Sequence, residues 1–337
     1  MARLRCMFDD DGIAKADASA TGRAFVKRTI ISATALVATS MAAVAEDVQH
    51  AGQPHNWHIN LQEALSPVEQ SIHWFSNYTL AFIIPITILV AALLAWVAYR
   101  FNERKNPVPS RTSHNTLIEV VWTIAPVLIL LCLAIPSFQL LTEQYNPPRD
   151  PELTIKATGY QWYWGYEYQP GMPDPAAAPA ATADAAAAPA ATPVSFESYM
   201  MQETDRPGSG KEDMNTYPRL LTVDNELVVP VDTVIRVLAT SGDVIHSFAL
   251  PSMGVKVDAV PGRNNEYWFE ALKEGIFYGQ CSELCGRDHA YMPIGLRVVS
   301  KEQFATWLAA AASDVGEANK ALTASIQSAG AVSVAGR

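Results

Sequence analysis

Five side chains with sulfur or imidazole donors lie close together in the second half of the sequence. Cys281, Cys285, His289 and Met292 fall within about a dozen residues, and His246 lies upstream of them. Thiolate, thioether and imidazole donors together suit copper better than any hard cation. Because two thiolates can both bridge a pair of metal ions, this combination predicts a dinuclear copper site.

A bridged pair leaves each metal ion in need of one terminal histidine and one weak axial group. The sequence offers His246 and His289 as the terminal ligands. The axial candidates are the Met292 sulfur and a backbone carbonyl. We expect that carbonyl to belong to Glu283, which lies between the two cysteines.

Three other interpretations compete with copper. A structural zinc site tolerates two cysteines at this spacing but has no use for a thioether. A disulfide, which an oxidising compartment would favour, leaves both histidines and the methionine without a role. Positions 281, 285, 289 and 292 could also share one face of a helix. Gly279, Gly286 and Pro293 favour a loop between strands instead.

The bulk composition indicates a membrane anchor joined to a soluble part. The chain has 337 residues, enough for two domains, and only 17% of them are charged. The net charge of −10 argues against a nucleic-acid partner and favours a basic one. Cys6 and Cys132 lie far from the Cys281–Cys285 pair, so the sequence contains no disulfide framework.

The N-terminus resembles a secretory leader over residues 1–45. Lys27 and Arg28 flank an apolar core, Thr29–Val44, which ends at an Ala-Val-Ala cleavage site. Export of the chain after the leader is therefore expected. Residues 46–77 form a polar, amphipathic segment on the exported, periplasmic side.

Two uncharged runs come next, Tyr78–Tyr99 and Val120–Leu141, and each is long enough to cross the ~30 Å core of a bilayer. We predict a two-helix transmembrane hairpin over 78–145. Short loops rich in Lys and Arg stay in the cytoplasm. The loop between the runs carries Arg100, Arg104, Lys105 and Arg111. Both ends of the hairpin should therefore face the periplasm, as the leader also requires.

From Pro151 onward, short alternating segments separated by turn residues predict an all-β Greek-key sandwich or barrel within a domain over 146–310. The predicted strands are 153–157, 220–223, 227–229, 234–238, 247–250, 266–269 and 296–299, with an aromatic strand from Gln161 and a short helix from Lys301. The Ala/Pro-rich stretch 171–194 is predicted to be a disordered insertion. Residues 311–337 are predicted to be a flexible tail.

The run Cys-Ser-Glu-Leu-Cys-Gly-x-x-His-x-x-Met-Pro closely resembles the dinuclear copper (CuA) loop of the subunit II family of bacterial haem–copper cytochrome c oxidases. The resemblance extends from about Trp74 to Trp307. It implies a cupredoxin-like barrel in the periplasm, anchored in the inner membrane. It also implies that cytochrome c supplies electrons, which pass to haem in subunit I, where oxygen is reduced to water and protons are pumped. Subunits I and III would be partners.

The resemblance also assigns roles to single residues. Trp162, the first tryptophan of the aromatic run, matches the position where electrons enter. Glu119, three residues before Trp122, matches the entrance of a proton pathway, although its position alone favours an ordinary interfacial carboxylate. The Glu283 side chain matches a ligand of magnesium or manganese at the contact with subunit I. Tyr160 stands where family members often carry His, which leaves the role of Trp162 intact.

The exported domain is acidic. Residues 151–300 contain 19 Asp and Glu against 10 Lys and Arg, a balance of −9. Such a charge would steer a basic electron carrier, although solubility alone would also explain it. Glu167, Asp224 and Asp243 match acidic residues of the family's cytochrome c docking face.

Two rival functions remain open. A quinol oxidase subunit II would share the hairpin and the barrel but would lack the copper ligands; all of them are present here, which disfavours this function. A membrane-tethered copper carrier for assembly would need neither Trp162 nor a metal ligand at Glu283.

Overall fold

The computed structural model describes residues 52–170 and 194–335. The predicted leader over 1–45 and the predicted insertion over 171–193 lie outside the described residues. The last residue of that insertion, Val194, is described and buried, and its carbonyl accepts a hydrogen bond from the backbone N–H of Tyr168 at 2.9 Å.

Two long helices open the described part of the chain, α1 at Pro67–Arg100 and α2 at Thr116–Tyr145. Each begins at a polar cap: the Ser66 hydroxyl accepts from Glu69 N at 3.0 Å, and the Asn115 side chain accepts from Leu117 N at 3.1 Å. With 34 and 30 residues, both helices exceed the length needed to cross a membrane. They contain the two predicted spans and confirm the hairpin.

The described residues after the hairpin contain ten strands. The first sheet contains β1 Leu153–Tyr160, β2 Tyr163–Pro170, β3 Ser195–Ser198, β5 Val234–Ser241 and β8 Asn265–Glu270. The second contains β4 Leu227–Pro230, β6 His246–Leu250, β7 Val255–Ala259, β9 Gly275–Cys281 and β10 Pro293–Val299. The sheet orders are β3-β2-β1-β5-β8 and β4-β10-β9-β6-β7. Strand β1 runs parallel to β5 and β4 parallel to β10, whereas the other described pairs are antiparallel.

The two sheets share one hydrophobic core, to which Ile155, Trp164 and Tyr166 contribute from the first sheet and Phe248 and Leu296 from the second. Alternation along the strands directs these side chains inward. The predicted all-β architecture after a membrane hairpin is confirmed. The aromatic side chains of β2 differ in burial: Trp164 and Tyr166 are buried, whereas Tyr163 is only half-buried.

The predicted strand over 220–223 is wrong. Leu220 lies in a turn with φ of 71°, and Val223 forms only an isolated bridge with Met200. The physical reason is a local turn: the N–H groups of Leu221 and Thr222 both donate to the Pro218 carbonyl, at 3.3 and 3.2 Å. Those N–H groups are therefore not paired with a neighbouring strand.

The predicted flexible tail is also corrected. Helix α3, Lys301–Ala311, is followed by a further helix, α4, at Val315–Ala335. Trp307 of α3 donates its indole N–H to Asn319 of α4 at 2.8 Å, and Leu322 is buried. An Ala-rich segment that has a surface to pack against gains the stabilisation that a short isolated helix lacks.

Candidate metal centre

The register of two neighbouring strands brings the upstream histidine to the cysteines. His246 is the first residue of β6, and Cys281 is the last residue of β9. The two strands are antiparallel, with Phe248 paired to Cys281. The start of one strand therefore meets the end of the other, although 35 residues separate their ligands.

The remaining candidate ligands lie in the loop between β9 and β10. Cys285 lies within it, His289 opens a short 3-10 helix at His289–Tyr291, and Met292 immediately precedes β10. The predicted loop between strands is confirmed over residues 282–292. The alternative of one continuous helical face is excluded.

Short contacts join all five side chains. Cys281 Sγ lies 3.9 Å from Cys285 Sγ and 3.8 Å from His246 Nδ1. Cys285 Sγ lies 3.5 Å from His289 Nδ1 and 3.6 Å from Met292 Sδ. The two sulfurs therefore lie centrally, with one imidazole beside each.

The Glu283 carbonyl also faces this cluster. It lies 3.3 Å from Cys281 Sγ, where the sequence predicted an axial donor. Both cysteines, His246 and Met292 are buried, so water has little access to the donor atoms.

The spacing of the donors favours two ions over one. Donor atoms of His246, Cys281 and Cys285 lie within 4.8 Å of one another. His289 is not a member of that group, although its Nδ1 lies 3.5 Å from Cys285 Sγ. A single zinc ion needs all four ligands around one point. Two ions that share both thiolates each need only one of the two histidines.

A disulfide does not account for the pair. The 3.9 Å between the sulfurs is about twice the ~2.05 Å length of a disulfide bond, and both cysteines are free.

Ionisation of the two thiols is uneven. Burial opposes ionisation of Cys281, but hydrogen bonds with His246, with the backbone of Glu283 and Ser247 and with His289 together outweigh burial and lower the thiol pKa to about 6. Burial and the neighbouring Cys281 sulfur raise the pKa of Cys285 to about 12. One thiolate forms readily, whereas a second requires a positive charge nearby. The pocket therefore fits cations that bind both sulfurs.

Close packing on β1 and β2 holds the centre in place. A Cβ atom on Gly159 would lie 2.8 Å from the His246 ring, so only glycine allows this approach. The Trp164 indole N–H donates to the carbonyl of Met292 at 3.3 Å. Strands β1 and β2 thus contact both ligand-bearing segments.

Trp162 lies at the tip of the β1–β2 hairpin. Tyr160 pairs with Tyr163 across the strands, which leaves Gln161 and Trp162 as a two-residue turn. Trp162 therefore lies outside the strand, so strand alternation does not determine its orientation relative to Trp164. Its half-buried ring lies against the ligand loop, where a Cβ on Gly286 would approach it to 3.0 Å.

The neighbourhood of Trp162 is partly charged. The Arg287 guanidinium lies 5.3 Å from the centre of the indole ring and pairs with Asp288 at 2.8 Å. An open cavity beside the ring is lined by Trp162, Tyr199, Met200, Gln202, Asp288 and Tyr291. These neighbours of Trp162 were not predicted from the sequence.

The three predicted docking acids have different surroundings. Asp243 lies next to the hairpin tip and accepts from Gln161 N at 2.8 Å. Asp224 accepts from Tyr199 N at 2.8 Å, and Tyr199 lines the same cavity as Trp162. Glu167 lies along β2 opposite Lys156, away from the hairpin tip. Only the first two are therefore tied to the surroundings of Trp162.

Glu119 and Glu283 lie at opposite parts of the chain. Glu119 is in the first turn of α2, where a carboxylate favours the positive end of the helix dipole. The Glu283 side chain is exposed on the ligand loop.

Two contacts at the site were not predicted from the sequence. The Asp243 carboxylate lies 2.9 Å from His246 Nε2, and the Gln161 side chain donates to the Cys285 carbonyl at 2.8 Å. Asp243 could have been found from its position three residues before His246. Gln161 could have been found from its position next to Trp162.

The fold and the site define a membrane-anchored β-sandwich protein with a cluster of soft metal-binding donors in its β domain. Comparison with protein families identifies the family within this class. Residues 153–299 match the periplasmic domain of cytochrome c oxidase subunit II, and residues 54–140 match its transmembrane domain.

Similar proteins share most of their length with this chain. Cytochrome c oxidase subunit 2 of Cereibacter sphaeroides is 40% identical over 300 residues, which cover 86% of this chain and 92% of that protein. The Arabidopsis thaliana subunit 2 is 41% identical over 253 residues, covering 75% and 88%. The chain belongs to the cytochrome c oxidase subunit II family.

Among solved structures, the chain is similar to the periplasmic domain of subunit II of cytochrome oxidase (CoxB) of Bradyrhizobium japonicum. The identity is 48%, with 50% of this chain and 98% of that chain covered and a TM-score of 0.38. Membership of the family implies other oxidase subunits as partners in a membrane.

Proposed function

We propose that this chain receives electrons from cytochrome c and passes them to haem in subunit I, where oxygen is reduced to water and protons are pumped. The observation that carries the proposal is the largely buried cluster of two thiols, two imidazoles and a thioether in a member of this family. The chain would act in the bacterial inner membrane, with its β domain in the periplasm.

The donor set fits a dinuclear copper centre, which when bound supplies a one-electron redox couple. Cys281 and Cys285 would bridge the metal ions, and His246 and His289 would be the terminal ligands. Met292 and the Glu283 carbonyl are weak donors that tune such a site. The buried protein around them excludes water and holds the ligands in fixed positions.

Trp162 is the proposed point where electrons enter. Its ring is partly exposed and packs against the loop that contains Cys285 and His289. It therefore connects the outer surface of the domain with the ligand loop through a single aromatic side chain.

Acidic groups near Trp162 would orient a basic cytochrome c. Asp224 and Asp243 both lie beside residues that surround the ring. Their effect on association should fall as ionic strength rises. Glu167 remains a candidate for the outer part of the same docking face.

Two further roles concern the contact with subunit I. Glu119 would admit protons at the cytoplasmic end of α2. The exposed Glu283 side chain would bind magnesium or manganese, because hard cations prefer carboxylate oxygen. Each role depends on assembly with the partner subunit.

The test is copper binding by the full chain in detergent. We expect two copper ions per chain and a seven-line mixed-valence electron paramagnetic resonance (EPR) spectrum. Cys281→Ser should abolish that spectrum. Cys132→Ser is the matched control, since Cys132 lies in α2 and should leave the spectrum unchanged.

One copper ion per chain, or tightly held zinc, would contradict the proposal. A chain that binds copper but does not accept electrons from cytochrome c would instead be a copper carrier. Stopped-flow reduction by cytochrome c distinguishes the two functions.

A further inference from the structure

The carboxylate of Asp243 bonds to the far side of a predicted metal ligand. Its Oδ1 lies 2.9 Å from His246 Nε2, while His246 Nδ1 faces Cys281 Sγ at 3.8 Å. The imidazole is fully buried, whereas the Asp243 side chain is 32% exposed. The carboxylate thus lies between the ligand and the surface of the domain.

Asp243 is itself held from several directions. Its Oδ1 accepts from Val244 N at 2.6 Å, and its Oδ2 accepts from Gln161 N at 2.8 Å. The Gln161 side chain in turn donates to the Cys285 carbonyl at 2.8 Å. One chain of hydrogen bonds therefore connects both ligand-bearing segments through the hairpin tip.

This arrangement selects one tautomer of His246. A carboxylate accepts hydrogen bonds, so the neutral ring must carry its proton on Nε2. The lone pair of Nδ1 is then directed toward the thiols. A ligating histidine usually donates its second ring N–H to such a partner, which orients the ring.

The second histidine provides an internal comparison. His289 also directs Nδ1 at a sulfur, at 3.5 Å from Cys285 Sγ. Within the described residues, however, no hydrogen bond to its Nε2 is present, and the side chain is only partly buried. The two imidazoles are therefore held differently, although their roles toward the thiols correspond.

We propose that Asp243 is a positioning residue that fixes the ring orientation and the tautomer of His246 for metal binding. This inference rests on the proposed copper function and is separate from any contribution of Asp243 to docking. It assigns the exposed carboxylate a second task, because the same group that faces a basic partner also holds a buried ligand.

The first experiment compares three variants of the full chain loaded with copper. Asp243→Asn keeps an oxygen acceptor and removes the charge, whereas Asp243→Leu removes both. Loss of an outer partner of this kind typically costs about 10–100-fold in metal affinity. We expect Asp243→Leu to speed copper loss to a chelator by about 10–100-fold and to alter the EPR spectrum.

Asp243→Asn should retain copper and the spectrum close to wild type. Asp224→Asn is the third variant and the control, since it removes a charge from the same surface without touching a ligand. If the Leu variant holds copper as firmly as wild type, or if Asn and Leu lose it equally fast, the inference is wrong.

A second experiment needs neither metal nor the Leu variant. Nitrogen NMR of the metal-free full chain, labelled at histidine and held at a pH where the rings are neutral, reports each tautomer. We expect His246 to carry its proton on Nε2 and to exchange it more slowly than His289. A proton on Nδ1 of His246, or equal exchange at both rings, overturns the inference.

The two proposals can fail separately. If wild type binds no copper, the proposed function fails, while the NMR measurement still tests Asp243. If copper binds normally but Asp243 affects neither retention nor tautomer, only the present inference fails.

Discussion

The indole of Trp162 lies against the backbone of Gly286, so closely that a Cβ on that glycine would lie 3.0 Å from the ring. Gly286 has φ of 124°, a conformation that side chains rarely adopt. The glycine comes directly after Cys285. The contact therefore joins the outermost aromatic ring of the hairpin to the residue next to a predicted bridging ligand.

Trp162→Gln should slow reduction of the bound copper by cytochrome c by orders of magnitude, because the aromatic contact with the ligand loop is lost. Copper content, the EPR spectrum and cytochrome c affinity should change little. Stopped-flow mixing measures the rate. Trp57→Gln is the control, since Trp57 is a fully exposed tryptophan. Equal rates for Trp162→Gln and wild type would place the electron entrance elsewhere.

Met292→Leu should keep both copper ions and shift the reduction potential, because a weak axial ligand tunes a copper site without holding it. Met292 Sδ lies 3.6 Å from Cys285 Sγ in a buried position, which leucine can fill. Redox titration of the EPR signal measures the shift. Met214→Leu, at an exposed methionine, should leave the potential unchanged. Loss of one copper ion from Met292→Leu would contradict the axial role.

Asp224→Asn should weaken cytochrome c binding at low salt and flatten its salt dependence, since exposed charges are screened as ionic strength rises. The amide oxygen can still accept from Tyr199 N, so the local fold should persist. Binding isotherms at several salt concentrations test this. Asp314→Asn removes the same charge at the start of α4 and serves as the control. An unchanged salt slope in Asp224→Asn would exclude this residue from docking.

Glu226→Gln should destabilise the β domain by about 3–5 kcal/mol, because it leaves two buried cations without their carboxylate. Glu226 Oε1 lies 2.7 Å from Lys211 Nζ and 3.0 Å from Arg297 Nη2. Denaturant unfolding of the full chain in detergent measures the loss. Glu317→Gln breaks an exposed pair with Lys320 and should cost only about 0–1 kcal/mol.

The same cluster predicts the pH dependence of stability. Burial raises the pKa of Glu226, but Arg297 and Lys211 outweigh burial and hold it below the ordinary value of 4.5. Its contribution is therefore present above about pH 4.5 and is lost as the pH falls through the lower folded pKa. Glu226→Gln should lack this acid-sensitive part. Parallel acid-unfolding curves for variant and wild type would contradict the assignment.

Glu119→Ala should slow oxygen consumption by the assembled oxidase while copper content and cytochrome c binding stay unchanged. The reason is the role proposed above, in which this carboxylate in the first turn of α2 delivers protons to the partner subunit. Glu103→Ala, in the loop between the helices, is the matched control. Normal turnover by Glu119→Ala would leave this residue with an ordinary interfacial role.

Local sequence patterns were sufficient to predict the two long helices and most of the candidate metal ligands. Cys281, Cys285, His289 and Met292 lie within twelve consecutive residues, so their chemistry is visible from residue types and spacing alone. The two helices are predictable for a similar reason, because uncharged length is a property of a continuous segment. Family resemblance then extended the prediction to Trp162, Glu119 and Glu283.

Contacts between distant segments required the tertiary structure. Pairing of β6 with β9 brings His246 to Cys281, and the hairpin tip brings Gln161 to both Asp243 and the carbonyl of Cys285. Spacing along the chain cannot give these distances, because they depend on which strands pair and in which register. Helix α4 also depends on contacts with another segment of the chain. Its Ala-rich sequence is ambiguous by itself, and packing against α3 decides that it is helical.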